Sequence, residues 1–492
     1  MLDKKKNTLR TLTSFLLLIF SIYFLSKDHS LLGFFADDGT TLYILLQDIS
    51  FSELLHHSFS WDAARDLHLI WQKFFILISS NDKISSLHFY QVIFYIINVI
   101  LFCYILTKLK FKYEIILIIS MASLFFPAYS EVVLWIHAFT MVLISTLFFL
   151  IFIIFQVHIL NEKSKKQILK LNILSIIFLL LTWFTYEQSI FVSFLIIILI
   201  NYINLKKKII SKNIFLLYVL IYTILVFTFS LYKLNSAGVF NPNEIKYQTG
   251  SDIVLNYQIF KNILIGFAIN IREFIIFDIY KIDILNFYEI LAFNLLLCIV
   301  FYLILTNQKK KKLNSTKNNI NIFIFLILFI ASMFPLYFHY ISDRHNYLPS
   351  FFMFTGIAYF LKYFYNYKSV FFLKIFLVIF IFYCLNNFLI KYNFKKYQLI
   401  ENFKIKEEFY QSLIKENKNK IKKKKIFLKN FPELRREEVF FAHEPVVNLK
   451  LIVNDNTLPF VSIENNYKKG DILILYENIK NNKLIYKINI VK

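Results

Sequence analysis

The sequence predicts an all-α polytopic membrane protein of about eleven transmembrane helices, followed by a small C-terminal α+β or β-rich extramembrane domain. Three observations predict it. The chain is 58% hydrophobic with 59 Phe and only seven Gly and seven Pro. Many of its apolar runs reach or approach the roughly 20 residues that cross a bilayer as helix, and inside lipid such runs must be helical because every backbone polar group needs an internal partner. The formal net charge of +23 lies largely in short Lys clusters between those runs. In a soluble protein that excess would point to nucleic acid. Here the positive-inside rule accounts for it, and no nucleic-acid partner is expected. Finally, the pattern from about Val446 onward alternates apolar and polar residues in strand fashion.

Taken in order, Lys4, Lys5, Lys6 and Arg10 precede an apolar run from about Leu12 to Leu25. A signal peptide has this layout, but no convincing small-x-small cleavage site precedes Ser30, so an uncleaved first span with a cytoplasmic N-terminus is expected. Residues 27–87 form the first external loop, rich in Asp and Glu and poor in basic residues. Thr41–Leu55 and Leu67–Ile78 read as amphipathic helices lying in the interface. Further spans are expected near 88–107, 114–130, 133–157, 168–184, 188–204, 213–233, 287–306, 320–340, 348–364 and 369–390. This count leaves Lys108/Lys110/Lys112, Lys163/Lys165/Lys166/Lys170, Lys206–Lys208 with Lys212, Lys309–Lys312 and Lys362/Lys368 all cytoplasmic. Ile259–Tyr280 is also apolar, but Arg272, Glu273 and Asp278 would each cost about 2.5–3.5 kcal/mol at mid-bilayer. It is assigned to a second external loop, 234–286.

The transmembrane domain thus covers 1–390 and the extramembrane domain 391–492. In the latter, residues 391–430 are charged and helix-like. Strands are expected at Leu449–Val453, Asp471–Leu475 and Leu484–Ile488, with Asn481-Asn482 at a hairpin turn. By span parity this domain is external. Cys103, Cys298 and Cys384 all lie within apolar runs, so they offer neither an external disulfide framework nor a metal-binding spacing.

Four polar clusters fall on the predicted external face. The first is the acidic pair Asp37/Asp38, within Gly33-Phe34-Phe35-Ala36-Asp37-Asp38-Gly39-Thr40-Thr41, just past the first span. The second is the turn Pro127-Ala128-Tyr129-Ser130-Glu131-Val132-Val133-Leu134-Trp135-Ile136-His137. Thr185-Tyr186-Glu187-Gln188-Ser189 is the third. The fourth runs from His339 through Arg344, His345, Asn346 and Tyr347 to Leu348-Pro349-Ser350. A guanidinium at the membrane surface beside imidazoles and a phenol suits a lipid-borne phosphate, whose oxygens it binds bidentately.

In this order the motifs resemble the GT-C superfamily of integral-membrane glycosyltransferases, the O-mannosyltransferase-like branch above all. They are a paired acid after the first span, Pro-x-x-x-Glu-x-x-x-Trp, an aromatic-Glu turn, and Arg-x-x-Tyr-Leu-Pro-Ser. His345 stands where an aromatic is more usual, and His137 occupies a turn that often carries another polar residue. Both departures bear on the substrate more than on the class. The resemblance implies a polyprenyl-phosphate-linked sugar donor with its isoprenoid in a groove between spans, and a glycan, lipid or protein acceptor. It also implies transfer on the external face of what the composition suggests is a bacterial plasma membrane, with inversion at the anomeric carbon. Asp37 and Asp38 would be catalytic, and Arg344, His339 and Tyr347 would bind the lipid phosphate. Glu131, His137 and Glu187 are candidates for the acceptor or a metal. Paired acids suit a divalent cation, although the family often works without one. The rival readings are a lipid-linked glycan polymerase or ligase, and a flippase or transporter of lipid-linked glycan.

Overall fold

A computed structural model of the chain describes residues 66–79, 83–126, 130–162, 164–236, 316–333, 346–365 and 395–413, the strands named below, and short pieces between 18 and 54 and at 392 and 415. Helices dominate it. In chain order they are α1 (Asp66–Ile78), α2 (Lys83–Lys108), α3 (Tyr113–Leu124), α4 (Ser130–Leu134), α5 (Ile136–Asn161), α6 (Lys165–Thr185), α7 (Glu187–Lys206), α8 (Lys212–Ser236), α9 (Thr316–Met333), α10 (Tyr347–Tyr365) and α11 (395–413).

Among the described residues five helices are long and apolar enough to cross a membrane: α2, α5, α6, α7 and the Lys212–Lys233 part of α8. Each coincides with a span expected from the sequence. The α9 and α10 helices coincide with two more in position, whereas most of the first run and the runs at 287–306 and 369–390 lie outside the described residues. The bundle is also apolar on its outside. The 18-residue apolar core of α8 is only 11% buried, with Leu216, Leu217, Leu220, Ile224 and Phe227 facing outward. An outer surface of this kind suits lipid, since large exposed apolar patches are rare on soluble proteins.

Polar side chains hold the helices together from within. Gln156 of α5 donates to Ser175 of α6 (2.9 Å), and Asn204 of α7 donates to the Ile159 carbonyl (3.4 Å). Interhelical hydrogen bonds of this kind are worth about 0.6 kcal/mol on average within a membrane. The helix pairs α5/α6, α9/α10, α2/α5 and α7/α8 form the main contacts.

Two segments differ from the sequence expectation. Instead of one span over 114–130, α3 has only 12 residues and ends inside the bundle. In the second polar cluster, expected as a short external turn, the apolar Val132, Val133, Leu134 and Ile136 are inaccessible while Trp135 and His137 are half-buried. The α1 helix forms where an amphipathic helix was expected, and its inward face is mixed. Its polar His68 and Gln72 are buried, with Leu69, Phe75 and Ile76 buried as well, while Phe74, Leu77 and Ile78 are exposed, as suits a helix packed on a bundle in an apolar surrounding.

Beyond α11, a four-stranded sheet has the order β4-β1-β5-β6, from β1 (Ile426–Lys429), β4 (Val461–Ser462), β5 (Ile472–Lys480) and β6 (Lys483–Ile490). The short strands β2 (Leu434–Arg435) and β3 (Glu438–Val439) pair separately. The β5/β6 hairpin pairs Lys480 with Lys483, and Asn481-Asn482, where the turn was expected, lie outside the described residues. A register shift at Tyr476/Asn478 marks a bulge, and Glu477 pairs with Lys487. The central strand β1 was not expected, because it follows a Lys run in a helix-like stretch. It pairs in parallel with β4 and β5, partners distant in sequence that local pattern does not reveal. Phe409 of α11 stacks edge-on against Tyr486 (5.1 Å), and Ser412 hydrogen-bonds the Tyr486 hydroxyl (3.2 Å), fixing the helix on the sheet. The expected strand at 449–453 lies outside the described residues.

Candidate functional site

One face of α2 organises the site. Gln91, Tyr95 and Asn98 fall at i, i+4 and i+7, one stripe of a helix. All three are fully buried, and all three bond to backbone carbonyls between the end of α3 and the first turns of α5. The Gln91 amide donates to the carbonyls of Val132 (2.6 Å) and Trp135 (2.7 Å). The Tyr95 hydroxyl donates to the carbonyl of Leu124 (2.6 Å) and approaches that of Ser123 (3.2 Å). The Asn98 amide donates to Leu143 (3.0 Å), inside the Phe139–Ile144 stretch that forms a π-helix. Irregular backbone survives inside a bundle only when its freed groups find partners, and this stripe supplies them. π-Helical turns within α-helices are frequent at functional sites.

The break presents His137 and Trp135 to α1. The imidazoles of His68 and His137 meet edge to face, with centroids 5.0 Å apart, and Trp135 lies 5.4 Å from His137 on its other side. One turn along α1, Gln72 is fully buried and neither its amide nitrogen nor its amide oxygen has a hydrogen-bond partner. A buried amide in that state costs free energy unless something pairs with it. Between them Trp71 donates from its indole to the Thr185 hydroxyl (3.3 Å). The α1 helix therefore joins the second cluster, through His68, to the third, through Trp71.

The third cluster opens α7 with a 3-10 turn at Glu187–Ser189. Glu187 pairs with Lys233 of α8 at 3.9 Å, so this carboxylate is spent on an ion pair. In the fourth cluster Tyr347 begins α10, fully buried, with its ring against Tyr95 (5.8 Å) and Phe351 (5.2 Å). Gln91 and Tyr95 are four residues apart, about 6 Å along the axis, so α2 holds the second and fourth clusters within one turn of each other.

The expected site residues divide accordingly. His137, Glu187 and Tyr347 are described and lie at the same end of the bundle. Glu131 lies on α4, in the broken segment. Asp37, Asp38, His339 and Arg344 lie outside the described residues. Among the described residues no group of three or more His, Cys, Asp or Glu is placed to hold a metal ion. Sequence reasoning missed His68, Gln72, Gln91 and Lys233. The missing signal was polar residues at helical spacing within otherwise apolar stretches, which in a membrane are costly and mark function or structure.

Beside this layer runs an apolar groove of about 190 Å³ between α2, α5, α7, α9 and α10. It begins at Leu348, next to Tyr347, and reaches Leu109 and Tyr359 at the far end. Comparison with protein-family models, with curated proteins and with solved structures found no match.

Proposed function

We propose that the protein is an integral-membrane glycosyltransferase of GT-C type. It moves a sugar from a polyprenyl-phosphate donor to a glycan, lipid or protein acceptor on the external face of a bacterial plasma membrane, with inversion. The observation that carries this reading is the meeting of three polar clusters at one end of an apolar bundle, through α1 and α2. The acidic pair and Arg344 join them by the motif resemblance. An arrangement of about eleven spans supports the external side. It requires the first and last spans to end together, and the Tyr392 hydroxyl, just past the last expected span, donates to the Leu25 carbonyl at the end of the first (2.8 Å).

In this mechanism Asp37 takes the proton of the acceptor hydroxyl as its oxygen bonds to the anomeric carbon. The bond from that carbon to the phosphate oxygen breaks, and the electron pair leaves with the polyprenyl phosphate. Arg344, with His339 and Tyr347, neutralises the charge growing on that phosphate. The transition state has oxocarbenium character, by analogy with glycoside hydrolysis. Asp38 positions the loop or an acceptor group, since adjacent side chains point apart and do not share one task. Glu131 and His137 are assigned to the acceptor by the same resemblance.

The experiment uses membranes containing the full chain and a panel of polyprenyl-phosphate sugars labelled in the sugar. Asp37→Asn nearly keeps the volume and removes the basicity, so transfer falls by roughly 10²–10⁴-fold while donor binding persists; Asp38→Asn loses less. Full activity in Asp37→Asn with loss only in Asp38→Asn reverses the two roles. Full activity in both sinks the catalytic reading of the pair. One observation favours the rival flippase: a broken helix with buried polar groups is how transporters build midplane sites. Movement of labelled donor across wild-type vesicles without any transfer would select it.

A further inference from the structure

The end of the bundle opposite the polar layer carries a second feature. The α2 and α7 helices both finish in a Schellman motif. Lys110 N–H bonds to the Thr107 carbonyl and Phe111 N–H to Leu106, while Lys208 N–H bonds to Leu205 and Ile209 N–H to Asn204. In each the left-handed position is held by a lysine, Lys110 (φ 61°) and Lys208 (φ 59°). Glycine is the usual residue for that position, because an L side chain there crowds the following carbonyl.

Lys110 sits beside the mouth of the apolar groove. Its neighbour Leu109 lines the groove, as does Tyr359 on the facing helix α10. The Lys362 ammonium lies 5.8 Å from the Tyr359 ring and 5.1 Å from the ring of Phe111, the residue next to Lys110. Among the described residues neither lysine has a carboxylate partner. Two cations thus converge, unneutralised, on the aromatic rim of an apolar slot.

The slot has the length of one leaflet. From Leu348 to Tyr359 α10 rises about 16 Å, half of the roughly 30 Å apolar thickness of a bilayer. Its depth agrees. Tyr347 packs against Tyr95, about 18 Å along α2, whereas Tyr359 packs against Phe111, past the end of that helix.

We propose that this groove is a binding site for an anionic phospholipid of the leaflet at the lysine end, with one acyl chain along α10 and the phosphate held between Lys110 and Lys362. A single tail of that leaflet fits the slot end to end, whereas a long polyprenyl chain overruns it. The site rests on the membrane reading and is independent of the transferase reading.

The test is lipid retention by the full-length protein, purified in detergent and presented with phosphatidylglycerol, phosphatidylcholine or polyprenyl phosphate, with bound lipid measured by native mass spectrometry. Phosphatidylglycerol is expected to bind in preference to the other two. Lys110→Gln with Lys362→Gln should weaken it roughly thirtyfold, from the usual value of one phosphate-facing lysine at a membrane surface taken twice. Lys170→Gln, exposed on α6, which contributes no residue to the groove, should leave binding unchanged, and Lys110→Arg with Lys362→Arg should retain it. Thr355→Phe, which fills the groove and leaves both lysines, should also lose the lipid. Equal binding of phosphatidylcholine, preference for polyprenyl phosphate, or wild-type retention in the double Gln variant would each overturn the proposal. Loss in Lys170→Gln equal to that in the double variant would do the same, because it would reduce the effect to general surface charge.

Discussion

Replacing Gln91 by Leu removes the side chain that bonds two carbonyls, of which that of Trp135 keeps the Ala138 N–H (3.0 Å). The Gln91 amide nitrogen serves both Val132 and Trp135, at 2.6 and 2.7 Å, and the residue is fully buried. Leu has nearly the same volume, so no large cavity forms and the effect isolates the hydrogen bonds. Membrane-protein cycles average about 0.6 kcal/mol per side-chain bond, which sets a floor of about 1.2 kcal/mol for two. Leaving a buried acceptor unpaired costs about 1–3 kcal/mol in general, and of the two carbonyls only that of Val132 is exposed to this cost, so about 1–3 kcal/mol is expected here. Asn98→Leu strands only the Leu143 carbonyl and should cost about half as much. The assay is unfolding of the purified protein in mixed micelles by increasing SDS, followed by Trp fluorescence. A Gln91→Leu protein as stable as wild type, or one no worse than Asn98→Leu, would refute the idea that α2 holds the broken segment in place.

Reporter fusions after Lys312 should give a cytoplasmic signal and fusions after Lys429 an external one; a cytoplasmic signal at both means a miscounted span. Arg344→Lys keeps the charge and loses the fork that grips a phosphate, so sugar transfer should drop about tenfold or more; normal transfer would remove Arg344 from the phosphate site. Lys233→Met removes the ion pair to the half-buried Glu187 and should cost about 1–3 kcal/mol in the same SDS titration, with Glu187→Gln added in the double variant restoring most of it. If the double variant is no more stable than Lys233→Met, the two residues are not coupled.

Much of this protein was determined by composition and period alone. Runs of Phe, Ile and Leu with almost no Gly or Pro leave the helix as the only structure that satisfies the backbone in lipid. The five long helices therefore stand where the sequence puts them. The β5/β6 hairpin was legible for a similar reason, because alternation of period two and an Asn-Asn pair are local signals. Local signals failed where the deciding partner is distant. The strand β1 reads as the end of a charged helix until β4 and β5 pair with it on both sides. The stretch from 114 to 130 is apolar enough for a span, yet it stops at Leu124 because Tyr95 and Gln91, on another helix, accept the cost of its open carbonyls.

The candidate site divides along the same line. Glu131, His137, Glu187 and Tyr347 could be singled out from the sequence, since a charge or an imidazole at the edge of an apolar run is conspicuous by itself. That His137 meets His68, that Trp71 reaches Thr185, and that Glu187 is tied to Lys233 were decided only by the packing of α1 and α8 against the bundle. The hydrophobic period of α1 shows two faces but not which one turns inward. In water the apolar face would be buried. Against a bundle that is apolar on its outside, the face carrying His68 and Gln72 goes in, with Leu69, Phe75 and Ile76, where other polar groups wait for it.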